Sequence, residues 1–192
     1  MMVIDLAHPG VDIRPLRQIT GESHFNEVFF TDVFVPDDDV VGSVGAGWTV
    51  ARSTLGNERV SIGGGLALFT PAVALAGAAP AGSRYDGELG ELIATAAAQR
   101  ALQLRLVSRA VAGREPGPEG NVTKLVSAEL AQRTADLALR MAGPSGVAVG
   151  LGNPVYDYLN TVCLTIAGGT SEIIRSQIGE RILGLPREPL LD

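Results

Sequence analysis

Near Gly47 the hydrophobic pattern of this chain changes from the period of a strand to the period of a helix, which limits the fold more than any other feature. Before that point, Val3-Ile4-Asp5-Leu6, Val11-Asp12-Ile13-Arg14 and Phe25-Asn26-Glu27-Val28-Phe29 alternate or cluster as short strands. His8-Pro9-Gly10 and Thr20-Gly21-Glu22 separate them as turns. Val33-Phe34-Val35-Pro36 reads as a last strand, closed by a proline and three aspartates. So few strands rarely bury both faces of a sheet, so residues 1–42 are expected to be the remnant of a β domain.

The remainder, residues 43–192, reads as helical. The first helix is expected from Trp48 to Leu75, with Val50, Leu55, Ile62, Leu66 and Phe69 near one side. Within it, Gly63-Gly64-Gly65 costs roughly 1 kcal/mol per glycine against alanine, a sign that something packs close there. Ala81 to Gly90 reads as a loop, and a second helix follows from Glu91 to Ala112. The run from Arg114 to Gly120, with Pro116 and Pro118, is a breaker. A third helix is expected from Val122 to Met141, a shorter one from Tyr156 to Thr165, and a last one from Ser171 to Leu183, ended by Gly184 and Pro186. The expected fold is therefore mostly α, a helical bundle preceded by a partial antiparallel β domain.

Composition removes several function classes. Hydrophobic residues make up 46% and charged residues 19%, as in a globular chain, and the net charge of −6 argues against a broad nucleic-acid surface. The single cysteine, Cys163, rules out an internal disulfide framework and is expected in the core. No apolar run is long enough for a membrane span, no leader is evident from Met1 to Leu6, and a cytoplasmic location is expected. His8 and His24 are too isolated to suggest a metal site, and Asp37-Asp38-Asp39 reads as a solvated loop.

Three places could carry chemistry. Ile166-Ala167-Gly168-Gly169-Thr170-Ser171-Glu172 puts two glycines in front of a helix, where the backbone can approach a ligand and first-turn N–H groups are unpaired. The same residues also read as a turn with Thr170 or Ser171 as N-cap and Glu172 in the first turn. Glu58, beside apolar residues in the first helix, is suited to a general base if burial raises its pKa, or is an ordinary helix residue paired with its neighbours. Arg59 could meet an anionic ligand or a carboxylate. Gly143-Pro144-Ser145-Gly146 either cradles a phosphate or simply stops a helix.

The order of several segments resembles the C-terminal half of flavin-dependent acyl-CoA dehydrogenases. They are Phe25-Asn26-Glu27-Val28-Phe29-Phe30 with Val33-Phe34-Val35-Pro36, then Gly47-Trp48-Thr49-Val50-Ala51, then Asn57-Glu58-Arg59, then Ile166 to Arg175, with Glu180-Arg181-Ile182-Leu183-Gly184-Leu185-Pro186-Arg187 at the end. The resemblance implies a C-terminal four-helix bundle, usually tetrameric, behind the last strands of a middle β domain. It implies α,β-dehydrogenation of an acyl-CoA thioester: a carboxylate takes the α proton and the β hydrogen passes to FAD as hydride, with an electron-transfer-flavoprotein-type acceptor downstream.

Many members place the catalytic Glu in a Glu-Gly-Thr version of the corner, where this chain has Gly168. Isovaleryl- and long-chain-type members carry the base on the first helix of the bundle, a place that matches Glu58. The resemblance thus implies Glu58 as catalytic base, Arg59 beside the acyl-CoA, and the Gly168 and Gly169 backbone near the thioester. It puts Thr170, Ser171 and Glu172 at the FAD, together with Gly143 and Gly146. The chain departs from the family at two cofactor segments. Ser83-Arg84-Tyr85-Asp86-Gly87 stands where many members have Arg-x-x-Phe-Gly, and the run Arg140 to Gly146 keeps two of three glycines and loses a Gln. Two functions follow as expectations: the C-terminal part of an acyl-CoA dehydrogenase, or a non-catalytic assembly subunit of such an oligomer.

Overall fold

The structure, a computed structural model, describes residues 1–53, 72–80, 82–113, 119–148, 150 and 152–187. The chain divides into two compact units, Met1–Glu58 and Arg59–Asp192.

In the first unit, β1 (Val11–Leu16) and β2 (Phe25–Phe30) form an antiparallel ribbon in which Val11 faces Phe30 and Leu16 faces Phe25. Gly10 is required beside it, because a Cβ there would stand 2.2 Å from the Thr31 carbonyl oxygen, whose own N–H bonds back to Gly10. Two expected strands are absent. The Asp5 carboxylate takes the Ala7 N–H at 2.9 Å, a local turn that diverts residues 3–6. Residues 33–36 are not paired, and Asp37–Asp39 form an exposed 3-10 turn after Pro36. Residues at the N-terminus pair instead with residues 39–41, through a Met2–Val40 bridge and the Val3 N–H to Asp39 carbonyl bond of 2.9 Å. Helix α1 (residues 47–53) follows; Trp48 is 70% exposed and is not the packing anchor its size suggests.

The second unit is helical: α2 (Ala72–Ala78), α3 (Asp86–Val111), α4 (Glu119–Ala142), α5 (Pro154–Thr161) and α6 (Ser171–Arg181). Leu92 on α3 and Leu137 on α4 are completely buried and form the centre of a core with Ala72, Leu75 and Leu89. Helix α4 packs against α3, α5 and α6. Its buried face is built from small residues, Ser127, Ala128, Ala131, Thr134 and Ala135, which let neighbouring backbones approach closely.

Several boundaries differ from expectation. Helix α3 starts at Asp86, five residues before Glu91, so the residues read as loop through Gly90 are partly helical. The Ser83 carbonyl takes the Asp86 N–H and its hydroxyl takes the Tyr85 N–H, while Asp86 and Glu88 favour the positive end of the helix. Arg140 at the end of α4 then clamps this turn: it donates to Glu88 at 2.6 Å and to Asp136 at 2.8 Å. Helix α4 starts at Glu119, inside the expected breaker, where Arg109 of α3 meets the Glu119 carboxylate at 2.6 Å. The expected helix from Tyr156 to Thr165 is α5, with Pro154 at its first position, followed by a 3-10 turn from Val162 to Thr165. That tighter turn leaves Cys163 exposed, against the expectation of a core cysteine; its thiol donates to the Asn160 carbonyl at 3.0 Å. At the other end, Gly184 (φ +67°) ends α6 as expected, with the Leu185 N–H bonded to the Gly179 carbonyl.

Because Leu92 has no exposed surface, Leu92→Ala is expected to destabilise the helical unit by about 2–5 kcal/mol, whereas Val111→Ala, 84% exposed, should change it by less than about 0.5 kcal/mol. Chemical denaturation followed by helical circular dichroism checks both.

Candidate active-site corner

Helix α6 begins with a defined cap. Thr170 is extended (φ −62°, ψ 155°) and its hydroxyl oxygen accepts the Ile173 N–H at 3.3 Å, which decides between Thr170 and Ser171 in favour of Thr170. Ser171 is buried, and its hydroxyl donates to the Thr165 carbonyl, fastening the helix start to the preceding 3-10 turn. Gly168 (φ +67°) and Gly169 (φ +107°) both occupy the left-handed half of backbone space, which costs a residue with a Cβ roughly 1–2 kcal/mol. The glycines are therefore dictated by the turn itself. The corner therefore presents its backbone at the positive end of α6, where first-turn N–H groups lie.

Glu172 is exposed in the first turn. Its carboxyl is held below the ordinary range, first by its own backbone N–H, then by the Thr170 hydroxyl, with Arg175 and Lys124 adding attraction. Such a carboxylate stays ionised and is a poor proton acceptor at neutral pH.

Below the corner lies a buried polar seam that the sequence pattern did not single out. Lys124 of α4 is 4% exposed, and its ammonium donates to the Gly169 carbonyl at 2.6 Å. Burial pushes its pKa down, and the nearby charge of Glu172 partly restores it. Asn121 donates to Gln177 at 3.1 Å and Arg175 to Glu129, so two polar ties and the fully buried Ile174 hold α6 on α4. On the opposite side, the buried Gln99 amide of α3 donates to the Thr123 carbonyl at 3.0 Å and to the Ser127 hydroxyl, while its own oxygen has no partner among the described residues. The missed signal was polar or small residues, Lys124, Ser127, Ala128, Ala131, Thr134 and Ala135, where a core helix would carry large apolar ones.

The other expected positions separate into two groups. Glu58 and Arg59 lie outside the described residues, as do the three glycines Gly63 to Gly65. Gly143 (φ +57°) ends α4, and Gly146 is buried with no room for a side chain: a Cβ would lie 2.9 Å from the Ala142 Cβ and 3.2 Å from the Leu139 carbonyl oxygen. That glycine is needed for packing whatever else it does. Arg84 and Tyr85, in the altered cofactor segment, are engaged within the chain; the Tyr85 hydroxyl donates to the Arg140 carbonyl at 3.3 Å, and both arginines lie over its ring. Among the described residues there is no cluster of three potential metal ligands, and no helix long and apolar enough to cross a membrane.

The family described as acyl-CoA dehydrogenase, C-terminal domain, matches residues 45–183. Acyl-CoA dehydrogenase FadE34 of Mycobacterium tuberculosis is 44% identical over 188 residues, covering 96% of this chain and 26% of that protein. Acyl-CoA dehydrogenase IpdE1 of the same organism is 37% identical, covering 97% of this chain and 51% of that protein. Among solved structures, the Tcur3481-Tcur3483 steroid acyl-CoA dehydrogenase superposes with a TM-score of 0.82 at 20% identity, over 97% of this chain and 52% of that one. The ChsE4-ChsE5 complex of Mycobacterium tuberculosis gives 0.75 at 24% identity, over 97% and 53%. The chain belongs to the acyl-CoA dehydrogenase family, whose members are FAD-dependent oxidoreductases. It spans about a quarter to a half of the length of the relatives it matches.

Thr170→Ala is expected to cost about 1 kcal/mol of stability through the lost cap, read by thermal or denaturant melts. It also removes a bond that lowers the Glu172 pKa. A carboxyl depressed in the folded state contributes stability above its unfolded pKa and loses it as pH falls through the folded value. The penalty of Thr170→Ala should therefore be larger at neutral pH than in acid, where Glu172 is protonated in both proteins.

Proposed function

We propose that this chain supplies the C-terminal part of a flavin-dependent acyl-CoA dehydrogenase that removes the α and β hydrogens of an acyl-CoA thioester. On this reading residues 1–42 are the remnant of the middle β domain and residues 43–192 the C-terminal helical domain. The observation that carries the reading is the corner at Gly168-Gly169-Thr170, where a left-handed glycine turn brings bare backbone to the N-terminus of a capped helix, whose first-turn N–H groups are donors. Such donors suit the carbonyl of a thioester, whose oxygen gains negative charge as the α proton leaves. They also suit the polar oxygens of FAD, which Thr170, Ser171 and Glu172 would border. FAD, when bound, supplies the acceptor for the β hydrogen.

The proton chemistry requires a base, and Gly168 has no side chain to provide one. Glu172 is close by in sequence but is kept acidic by its cap, so it is poorly suited to the task. We assign the α proton to Glu58, with Arg59 beside the acyl-CoA and Gly169 beside the thioester; the match of Glu58 to the family's alternative base position supports this. Gly143 and Gly146 complete the cofactor side. The downstream acceptor would be an electron-transfer flavoprotein, and the assembly would form through the helical bundle.

A second reading, a non-catalytic assembly subunit, is favoured by the β ribbon. Ile13, Leu16, Phe25, Val28, Phe29 and Phe30 are all exposed on it, more apolar surface than a free ribbon tolerates in water. Such a surface calls for cover from further β structure, in this protein or in a partner. The two readings separate on one variant. In the complete flavin-loaded assembly, Glu58→Gln should lower dehydrogenation by roughly 100-fold or more while leaving acyl-CoA binding intact. Loss of less than about tenfold would remove Glu58 from the role and favour the assembly reading.

A further inference from the structure

Lys124 sits where an apolar side chain would be cheaper. It is 4% exposed on the face of α4 that meets α6, and an ammonium has three N–H donors to satisfy after it leaves water. Among the described residues its ammonium donates to the carbonyl of Gly169 at 2.6 Å, 45 residues away in sequence. Glu172 acts on it through space from the first turn of α6. Among the described residues, what this cation holds is one peptide plane.

That plane joins the glycine corner to the helix cap. Gly168 and Gly169 lack the Cβ that would otherwise restrict them, so the turn has many backbone states to choose from. In a trans peptide the carbonyl and the following N–H point in opposite directions. Drawing the Gly169 oxygen inward to α4 therefore turns the Thr170 N–H outward, away from Lys124.

We propose that Lys124 is a positioning residue, a buried latch on the Gly169 carbonyl that fixes the peptide plane of the glycine corner and so aims the Thr170 N–H at bound ligand. That a ligand meets this corner rests on the function proposed above; the latch itself does not.

The chain contains one Gly-Thr pair, Gly169-Thr170. Labelling with carbonyl-13C glycine and 15N threonine thus yields a single carbonyl-to-amide correlation, readable in the full chain within its natural assembly when other chains are unlabelled. Lys124→Met should displace this correlation beyond its linewidth and lower turnover at saturating acyl-CoA. A lysine with only a packing role would lower the melting temperature and leave the correlation where it was, which would overturn the proposal. If Lys124→Met does not fold, the wild type decides. Raising the pH should move its correlation as Lys124 deprotonates, at a pH below the ordinary lysine range because burial outweighs the pull of Glu172. A correlation that stays fixed through that range overturns the latch. A displaced correlation in a protein that neither holds flavin nor oxidises acyl-CoA supports the latch and overturns only the proposed function.

Discussion

The bond from Lys124 to the Gly169 carbonyl is the interaction that ties the glycine corner to the helical bundle. It joins the helix at the centre of the bundle to the two residues with the least conformational restraint in the corner. Burying an ammonium costs several kcal/mol, and one charge-assisted hydrogen bond returns about 1.5–3 kcal/mol. The shortfall shows as a pKa pushed below that of a free lysine. The apolar contacts of Leu92, Leu137 and Ile174 supply the stability that permits it. Specific placement of a loop is bought with part of the core.

The architecture of α4 makes this arrangement possible. A face of Ser127, Ala128, Ala131, Thr134 and Ala135 brings three helices close around it, so a long lysine side chain can reach a carbonyl on the next element. The neighbouring helix ends are then held by polar ties: Arg140 on Glu88, Arg109 on Glu119, Arg175 on Glu129. Exposed pairs of this type contribute little each, typically under about 1 kcal/mol. Their value lies in fixing where α3 begins and how α6 lies on α4.

The legible part of the fold was whatever repeats along the chain. Helical periodicity gave α3, α4 and α6, and the Gly-Gly-Thr and Gly184 signals gave both ends of α6. Features set by a single side chain meeting a distant backbone were not legible. The Arg140 clamp moved the start of α3 to Asp86, and the Asp5 turn removed an expected strand. Cys163 looked like core because its neighbours are apolar, but a 3-10 turn rotated it outward. At the corner, the glycines and the cap were readable and Lys124 was not, since nothing in a helical pattern tells a buried lysine from a solvated one. The family resemblance, rather than periodicity, supplied Glu58.

The proposed function requires that this corner serve a flavin. The most direct measurement is the visible absorption spectrum of the protein purified in its natural assembly, before and after incubation with FAD. Flavin bands that bleach when acyl-CoA is added without an electron acceptor are the expected result. A protein that stays colourless after FAD is supplied would contradict it.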